Sequence, residues 1–570
     1  MKRVALTAAL VAAVVVWWGS LPPRRMLLRT DTSDGSVRGV MHIHSRLSDG
    51  RGSFDDIATA AARAGLRFVV VTDHGDGTRA PEPPSYRSGV LVIDGVEIST
   101  RGGHYLAVGL PRAPYPLGGD PYGVVEDVRR LGGVGIVSHP DSPKAELRWT
   151  AWDAPFDGVE LINPDTSWRV HAFTRGAAAK WLLLDTLLAY PVRPAEAVSQ
   201  VLTEDAALRA RLQAVAGTRR IVMSAGADAH AMLALKDTEP GENHLALPIP
   251  SYESSFESLS VHLHPATPLT GDATTDAKTL IGALRAGRMY LAVDGWAGPP
   301  AFSFSATSAR GAADMGDVLA PGGPVTLHVS SNAPAGYSTL VWRGEQVISE
   351  RAEHTFTLDV SDAPGVYVVE VRKPNTDGMP AWITSNPIYV RSTADLGSAP
   401  APVSTPEKGR PLFDGSTAAG WSHESDATSL AAVDAVEQVD GSRIRLRYGL
   451  SGGSAAGQYA AAAVATPEGV DGASAIAFTA RADGPMRMSL QVRAEFLDGT
   501  SARWSRSVFV DASDRQHLVR FDDMTPVGTL VNGAPPLARV RAIMFVVDTT
   551  NTKPGSSGRL WLGKVRVLDR

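Results

Sequence analysis

A chain of 570 residues with 44% hydrophobic and 20% charged residues has material for roughly three to four globular domains, which excludes wholesale disorder and fibrous repeats. Lys and Arg total 55 against 60 Asp and Glu, a formal charge of −5, so no bulk attraction to nucleic acid or anionic lipid is encoded. Cysteine is absent, which removes disulfides, thiolate nucleophiles and Cys-based metal sites and leaves His and carboxylates as the ligands for any metal.

Lys2 and Arg3 precede an unbroken small and apolar run from Val4 to Trp18, ended by Gly19, Pro22, Pro23, Arg24 and Arg25. The run has the length of a signal-peptide core and is short of the roughly 20 residues that span a bilayer. Trp17 and Trp18 stand where a small-x-small cleavage pattern belongs, and they suit a membrane interface. Residues 1–25 are therefore expected to be a signal peptide or an N-terminal membrane anchor. The bulk of the chain is expected to be exported: periplasmic, extracellular or anchored to the outer side of the cytoplasmic membrane.

From 37 to 265 helical segments alternate with short β-branched runs, the pattern of a layered or barrel α/β domain. Ser53 with Asp56 predicts a capping box opening an Ala-rich helix that ends near Gly65, and Leu66 to Val71 predicts a buried strand. The same order recurs from Val124 to Leu131, through Gly132 and Gly133, to Val134–Val137. A helix over 275–287 closes this domain, which is assigned to 37–290. Short alternating runs such as Val325–Val329 and Val366–Val371 then predict an Ig-like β-sandwich over 300–392. A Pro, Ser and Ala-rich linker covers 393–411, and 412–570 reads as a jelly-roll or galactose-binding-like β-sandwich, with strands at 444–448, 488–496 and 559–567.

The chemistry-bearing residues of the first domain fall at or just past strand ends, where α/β folds gather their loops into sites. His42, His44 and Asp49 follow Val40, and Asp73 and His74 follow Phe68 to Val71. Glu97 follows Val90 to Ile93, His139 follows Val134 to Val137, Glu160 lies in Gly158 to Ile162, and Asp228 and His230 follow Ile221 to Met223. Imidazole and carboxylate together hold Mn, Zn or Fe without sulfur. In an extended segment His42 and His44 project to one side, with Ile43 turned into the core; Asp228 and His230 repeat that spacing. A lone His at a strand end is more often a hydrogen-bonded core residue, but recurrence at successive strand ends points to metal ligation.

His42-Ile-His44-Ser-Arg-Leu-Ser-Asp49-Gly50, Thr72-Asp73-His74, Gly95-Val-Glu97, Ser138-His139-Pro140 and Gly226-Ala-Asp228-Ala-His230 resemble, in order, the motifs of the PHP (polymerase and histidinol phosphatase) family. The stretches 95–104, 147–157 and 158–165 look like its carbaryl hydrolase-like branch. The resemblance covers about residues 37 to 265. It implies a distorted (β/α)7 barrel, here followed by two all-β sandwich domains, and a cluster of two to three divalent ions (Mn, Zn or Fe). Carried over by position, His42, His44, Asp228 and Glu97 hold one ion and Glu97 bridges to a second. His139 and Glu160 complete the second, and Asp49, His74 and His230 hold the third. His104 is the alternative to Glu160 as ligand, or touches substrate.

The metals imply the mechanism: a hydroxide bridging two ions attacks a phosphorus or carbonyl centre. There is no Walker A loop, G-x-S-x-G elbow or HExxH motif. Asp73 is the candidate proton-handling carboxylate, with capping of a turn as its alternative. Lys144, Arg148 and Arg169 are candidates for binding an anionic substrate, each with a solvated surface charge as its alternative. Trp149 and Trp152 wall the pocket or pack beneath the loop, while His244, His262 and His264 read as structural. The expected activity is phosphoester hydrolysis on a small phosphorylated or nucleotide-like compound, with carbamate, ester or lactone hydrolysis as the alternative. A second alternative is a surface protein whose β domains contact glycan or cell wall beside a non-catalytic barrel. Trp421 and Trp504 then either stack on sugars or fill the core. Long nucleic acid is disfavoured, for want of a basic cluster interleaved with aromatics.

Overall fold

A computed structural model describes residues 17–29, 34–234, 246–360, 364–392, 409–413, 415–438, 441–454, 457–528 and 533–569. The chain divides into two compact units. One comprises Met1–Gly75, Pro81–Pro111 and Val128–Gly397; the other comprises Asp76–Ala80, Arg112–Asp127 and Ser398–Arg570.

In the first unit β1 (Val37–Met41), β2 (Phe68–Val71) and β3 (Val90–Asp94) lie side by side and parallel. Every residue of β2 and β3 is buried, and the two faces of β2 divide between two cores. Phe68 and Val70 join Leu91 and Ile93 in one. Val69 and Val71 pack with Phe54, Ile57 and Ala61 of α1 (Phe54–Arg63) in the other. Burial on both faces is why these strands are continuous apolar runs. The expected capping box is formed: Ser53 Oγ accepts from Asp56 N at 3.2 Å, and Asp56 Oδ2 accepts from Ser53 N at 2.9 Å.

A second sheet has the order β8-β7-β6-β5-β4, from β4 (Val96–Thr100), β5 (Gly103–Val108), β6 (Val134–Val137), β7 (Gly158–Ile162) and β8 (Val222–Ala225). Strands β6, β7 and β8 are parallel, while β5 runs against both its neighbours. Backbone bonds join the two sheets at both ends. Gly95 N donates to Val71 O at 2.7 Å and Glu97 N to Asp73 O at 3.1 Å; Ala227 N donates to Met41 O at 2.9 Å and His44 N to Ala229 O at 3.0 Å. Regular strand–helix alternation is not kept. No helix separates β3, β4 and β5, whereas helices Pro164–Phe173, Ala177–Ala189, Pro194–Gln200 and Ala206–Thr218 all fall between β7 and β8.

The expected boundary near 290–300 is not a break in the sheet. Strand Met289–Ala292 pairs with Ser260–Leu263, which pairs with β1, and on its other edge with Ile383–Ser385, Tyr290 lying opposite Ser385. One core runs from Met41 through Tyr290 and Trp382 to Val390. Residues 300–392 do supply a separate four-stranded sheet, from Phe302–Ser308, Gly311–Asp314, Val325–Ser331 and Thr355–Val360. Their remaining strands extend the sheet that contains β1, because pairing to Met289–Ala292 satisfies an otherwise open edge. The terminal helix is Ala273–Ala286, capped by Asp272.

The second unit contains two six-stranded antiparallel sheets around one core that includes Ile444, Leu446, Phe478, Leu490, Phe545 and Leu562, which makes it a β-sandwich. The three strands foreseen there are Arg443–Gly449, Met486–Glu495 and Ser557–Asp569. Its extent differs from the expected 412–570, since Asp76–Ala80 and Arg112–Asp127 belong to it. The buried Arg487 guanidinium donates to Asp127 Oδ2 and Glu126 Oε2, each at 2.6 Å. Asp120 Oδ2 accepts from Ser507 N at 2.8 Å. Residues 393–408 of the expected linker and 1–16 of the expected N-terminal segment lie outside the described residues. Among the described residues, no helix is long and apolar enough to cross a membrane.

Candidate metal centre

The backbone turns sharply where the site begins. His42, His139 and Asp228 have φ of 61°, 32° and 47°, left-handed values that cost a non-glycine residue about 1–3 kcal/mol. Side chains held at that cost mark a local demand other than packing. Ile43 is buried, as expected, and bridges to Ala229. His42 and His44 do face one point, but through the left-handed turn at His42 and not through plain strand alternation.

That point is the Glu97 carboxylate. Its Oε2 lies 3.3 Å from Nε2 of His42, Nε2 of His44 and Nδ1 of His74. Its Oε1 lies 2.9 Å from His139 Nε2 and 3.1 Å from His104 Nδ1, and accepts from Ser138 Oγ at 3.0 Å. Asp228 Oδ1 is 3.4 Å from Nε2 of both His42 and His44. Asp49 reaches His44 Nδ1 at 3.3 Å, His74 Nε2 at 3.4 Å and His230 Nε2 at 3.2 Å. Among the described residues the potential ligand atoms fall into four groups, each within 4.8 Å: His44, Asp49, His74 and His230; His42, Glu97 and His139; His42, His44 and Asp228; His74, Glu97 and His104.

Buried Nε2 of His42, Nε2 of His44 and Nδ1 of His74 have no hydrogen-bond partner, although Glu97 stands close by. A buried imidazole nitrogen without a partner is costly unless something else binds there. Burial opposes the imidazolium of His42, but Glu160, Asp228 and Glu97 outweigh it and hold its pKa well above the ordinary value. Against the same burial penalty, Asp228 and Glu97 push His44 up to about 10. Conversely, burial would raise Glu97 and Asp228, yet the surrounding imidazoles, His42 first, hold both well below the carboxylate range. The site thus demands positive charge at its centre, which protons or divalent cations supply. An all N and O donor set is the chemistry of Mn, Zn or Fe.

Glu160 departs from its expected place. Its Oε1 is 2.7 Å from His42 Nδ1, and its Oε2 accepts from His139 N at 2.9 Å and Asn163 Nδ2 at 3.0 Å. It sits behind His42 and orients that ring, while His104 takes the place beside Glu97. Asp73 is not positioned to move protons: its two oxygens accept from Ser45 N, Ser45 Oγ and Ser48 Oγ at 2.6–2.7 Å. It therefore anchors the loop that carries Asp49, the turn-capping alternative. Arg148 bonds its own loop, Nε donating to Ser142 O at 2.9 Å. Arg169 pairs with Asp165, and Lys144 is half-buried in the Arg148 loop. Trp149 is buried against Tyr105 and Phe156, and Trp152 packs on Phe156. His262 stacks on Tyr290, as a structural residue does. His264 also lies against Tyr290; His244 lies outside the described residues.

Four further residues support these donors; Ser138 and Gly226 stand inside motifs quoted above and Asn163 inside the stretch 158–165, while Tyr252 lies in none of them. Asn163 caps helix Pro164–Phe173 while donating to Glu160. Ser138 donates to Glu97. Tyr252 Oη donates to His44 O at 2.7 Å. Gly226 leaves room for Glu160, whose Oε1 would lie 1.9 Å from a Cβ there. Beside Asp228 and His230 opens a cleft of about 710 Å³, counting its solvent-open part. It is walled chiefly by apolar residues, among them Trp168, Leu187, Tyr190, Val201, Met232 and Leu233.

The first unit is thus an α/β domain with a buried cluster of imidazoles and carboxylates that could hold metal, and the second a β-sandwich. The chain belongs to the same family as an uncharacterized protein of Methanocaldococcus jannaschii, to which it is 30% identical over 142 residues, taking in 22% of this chain and 82% of that protein. No family model matches the chain. Among solved structures, a family 11 carbohydrate-binding module of a Clostridium thermocellum cellulase is 16% identical with a TM-score of 0.24, covering 30% of this chain and 97% of that one. A family 30 module from a C. thermocellum cellulase is 12% identical with a TM-score of 0.22, covering 28% and 96%. Likenesses at that level carry no argument about this chain.

Proposed function

We propose that this chain is an exported, metal-dependent hydrolase of the PHP type, most readily a phosphoesterase, in which the strands β1 to β8 make the distorted barrel of that family. The carrying observation is one buried carboxylate, Glu97, faced by five imidazoles, three of which present partnerless nitrogens to it. His42, His44, His74, His139, His230, Asp49, Glu97 and Asp228 would hold two or three ions, with His104 at the edge of the same set. Ions of this kind supply Lewis acidity and a water made nucleophilic near neutral pH. The chain's own residues fix the donors. Glu160 and Asn163 orient His42, Ser138 holds Glu97, and Asp73 with Ser45 and Ser48 positions the Asp49 loop. His104, partly exposed at the rim, is the group placed to meet substrate or exchange a proton through its Nδ1 contact with Glu97.

The apolar cleft beside Asp228 and His230 favours a second reading, hydrolysis of a carbamate, carboxyl ester or lactone bearing an apolar group. A purely glycan-binding role draws no support from the two tryptophans it needed. Trp504 is buried, with its Nε1 donating to Gly533 O at 2.7 Å, and Trp421 stacks on Phe545. The test is a parallel screen of metal-replete protein against phosphomonoesters, phosphodiesters, carboxyl esters and aryl carbamates. Turnover of one class that His44→Ala abolishes is the expected result. Inertness towards all four classes with the metals in place would reject the hydrolase reading.

A further inference from the structure

Helix Ala177–Ala189 has the sequence AAAKWLLLDTLLA, apolar but for Lys180, Asp185 and Thr186, with Lys180 and Asp185 flanking the face that carries Trp181, Leu184 and Leu188. A helix this rich in Leu and Ala calls for cover on more than one side. Here only one side is covered: Leu183, Thr186 and Ala189 are buried, whereas Trp181, Leu184 and Leu188 are 68%, 44% and 49% exposed. Those three are spaced i, i+3 and i+7, so they share a face. Phe173, just before the helix, is 61% exposed. A contiguous apolar face of this kind on a soluble surface marks an interaction site.

The chain itself indicates what covers it. Trp17, at the end of the apolar run 4–18, donates through Nε1 to Leu188 O at 3.3 Å, and Trp18 beside it is 53% exposed. The described end of the apolar run read as a membrane signal or anchor therefore lies against this helix through Trp17. At 13 residues, or about 20 Å, the helix is too short to cross a hydrocarbon core and long enough to lie in the interface. Aromatic residues at 17, 18, 173 and 181 suit that depth. The same helix also walls the cleft from behind, through Thr186 and Leu187, and the cleft ends on Asp228 and His230.

We propose that helix Ala177–Ala189 rests in the interfacial layer of a lipid bilayer, and that the cleft behind it admits the hydrocarbon part of a bilayer-resident amphiphile to the metal cluster. The second half rests on the hydrolase reading; the first does not. With net charge −5, adsorption is driven by apolar burial and not by bulk charge.

Because the chain has no cysteine, single thiols report cleanly. Leu184→Cys, Leu188→Cys and, as control, Ala214→Cys on the exposed side of helix Ala206–Thr218 would carry an environment-sensitive fluorophore in the full chain. With phosphatidylcholine–phosphatidylglycerol vesicles, the probes at 184 and 188 should shift to the blue and lose about half their emission or more to acyl-chain spin labels, with 214 unaffected. Three results would overturn the membrane half: no quenching at 184 while the protein floats with vesicles; a blue shift without vesicles at any protein concentration, meaning that residues 1–16 cover the face; or a shift that grows with protein concentration, meaning a second copy does. For the cleft, calorimetric titration of metal-replete protein with n-alkylphosphonates of increasing length should show affinity tightening about fourfold per added methylene until the cleft fills. Binding independent of chain length would reject the amphiphile while leaving the hydrolase reading intact. Failure of every phosphonate to bind would count against the hydrolase reading itself.

Discussion

Two buried polar clusters set the two units apart. In the sandwich unit the Arg487 guanidinium is fully enclosed, yet Asp127 and Glu126 accept its protons and Tyr115 Oη donates to Asp127 at 2.9 Å. In the α/β unit Glu97 is equally enclosed and the Asp228 side chain nearly so, but the imidazoles around them keep nitrogens without partners. Burying charge is costly in both places. The first cluster meets that cost with the fixed charges of its own chain and serves architecture, whereas the second depends on imidazoles that must be protonated or, on the proposed reading, hold cations.

Replacing the centre of the second cluster should give the largest effect. Glu97→Gln keeps the shape but removes the charge that all five imidazoles face, and turnover should fall by at least about a thousandfold with loss of bound metal. Retained metal and activity would show that Glu97 is ordinary core. In the first cluster, Arg487→Met removes the guanidinium from the buried Asp127 carboxylate and should cost about 3–5 kcal/mol in denaturant unfolding, with metal content unchanged; adding Asp127→Asn should restore part of the loss. An equal loss of metal would erase the distinction between the clusters. Glu160→Gln, acting only through His42, should weaken metal affinity by about 10- to 100-fold without unfolding. An effect as large as that of Glu97→Gln would return Glu160 to the ligand set.

The metal-free protein should respond to pH in a defined direction. His44 is raised from 6.5 to about 10, so its stabilising contribution is complete below pH 6.5 and is lost as pH climbs through about 10. Glu97 and Asp228 are lowered from 4.5 and 3.8, so their contribution is complete above those values and fades on acidification. Metal must displace the protons, so affinity should rise with pH and uptake should release protons, measurable by calorimetry in buffers of different ionisation enthalpy. Metal binding that is indifferent to pH would contradict the electrostatics described for the site.

Much of this contrast is legible in the sequence because it depends on residue type at fixed local positions. Ser53 and Asp56 define a helix start, the run of valines in β2 defines a strand covered on both faces, and His, Asp and Glu at strand ends mark the cluster. What cannot be read depends on partners far along the chain. Nothing local in Met289–Ala292 says that Ile383–Ser385 will pair with it, and nothing local in Asp127 says that Arg487 will enclose it. The resemblance implies Glu160 as a ligand with His104 as its alternative; what sequence cannot show is that Glu160 contacts His42 Nδ1 at 2.7 Å, whereas His104 faces Glu97. Asp73 lies beside His74 in sequence, but the hydroxyls of Ser45 and Ser48 take both its oxygens.

The central claim meets its most direct test in elemental analysis of the full chain, stripped by chelator and then reconstituted with manganese, zinc or iron, beside His44→Ala of matched circular dichroism. Tight uptake of two or three ions per chain by the wild type, and of fewer by the variant, is the result expected of clustered imidazoles and carboxylates. A wild-type chain that stays metal-free under those conditions, or a variant that binds as much as the wild type, would contradict it.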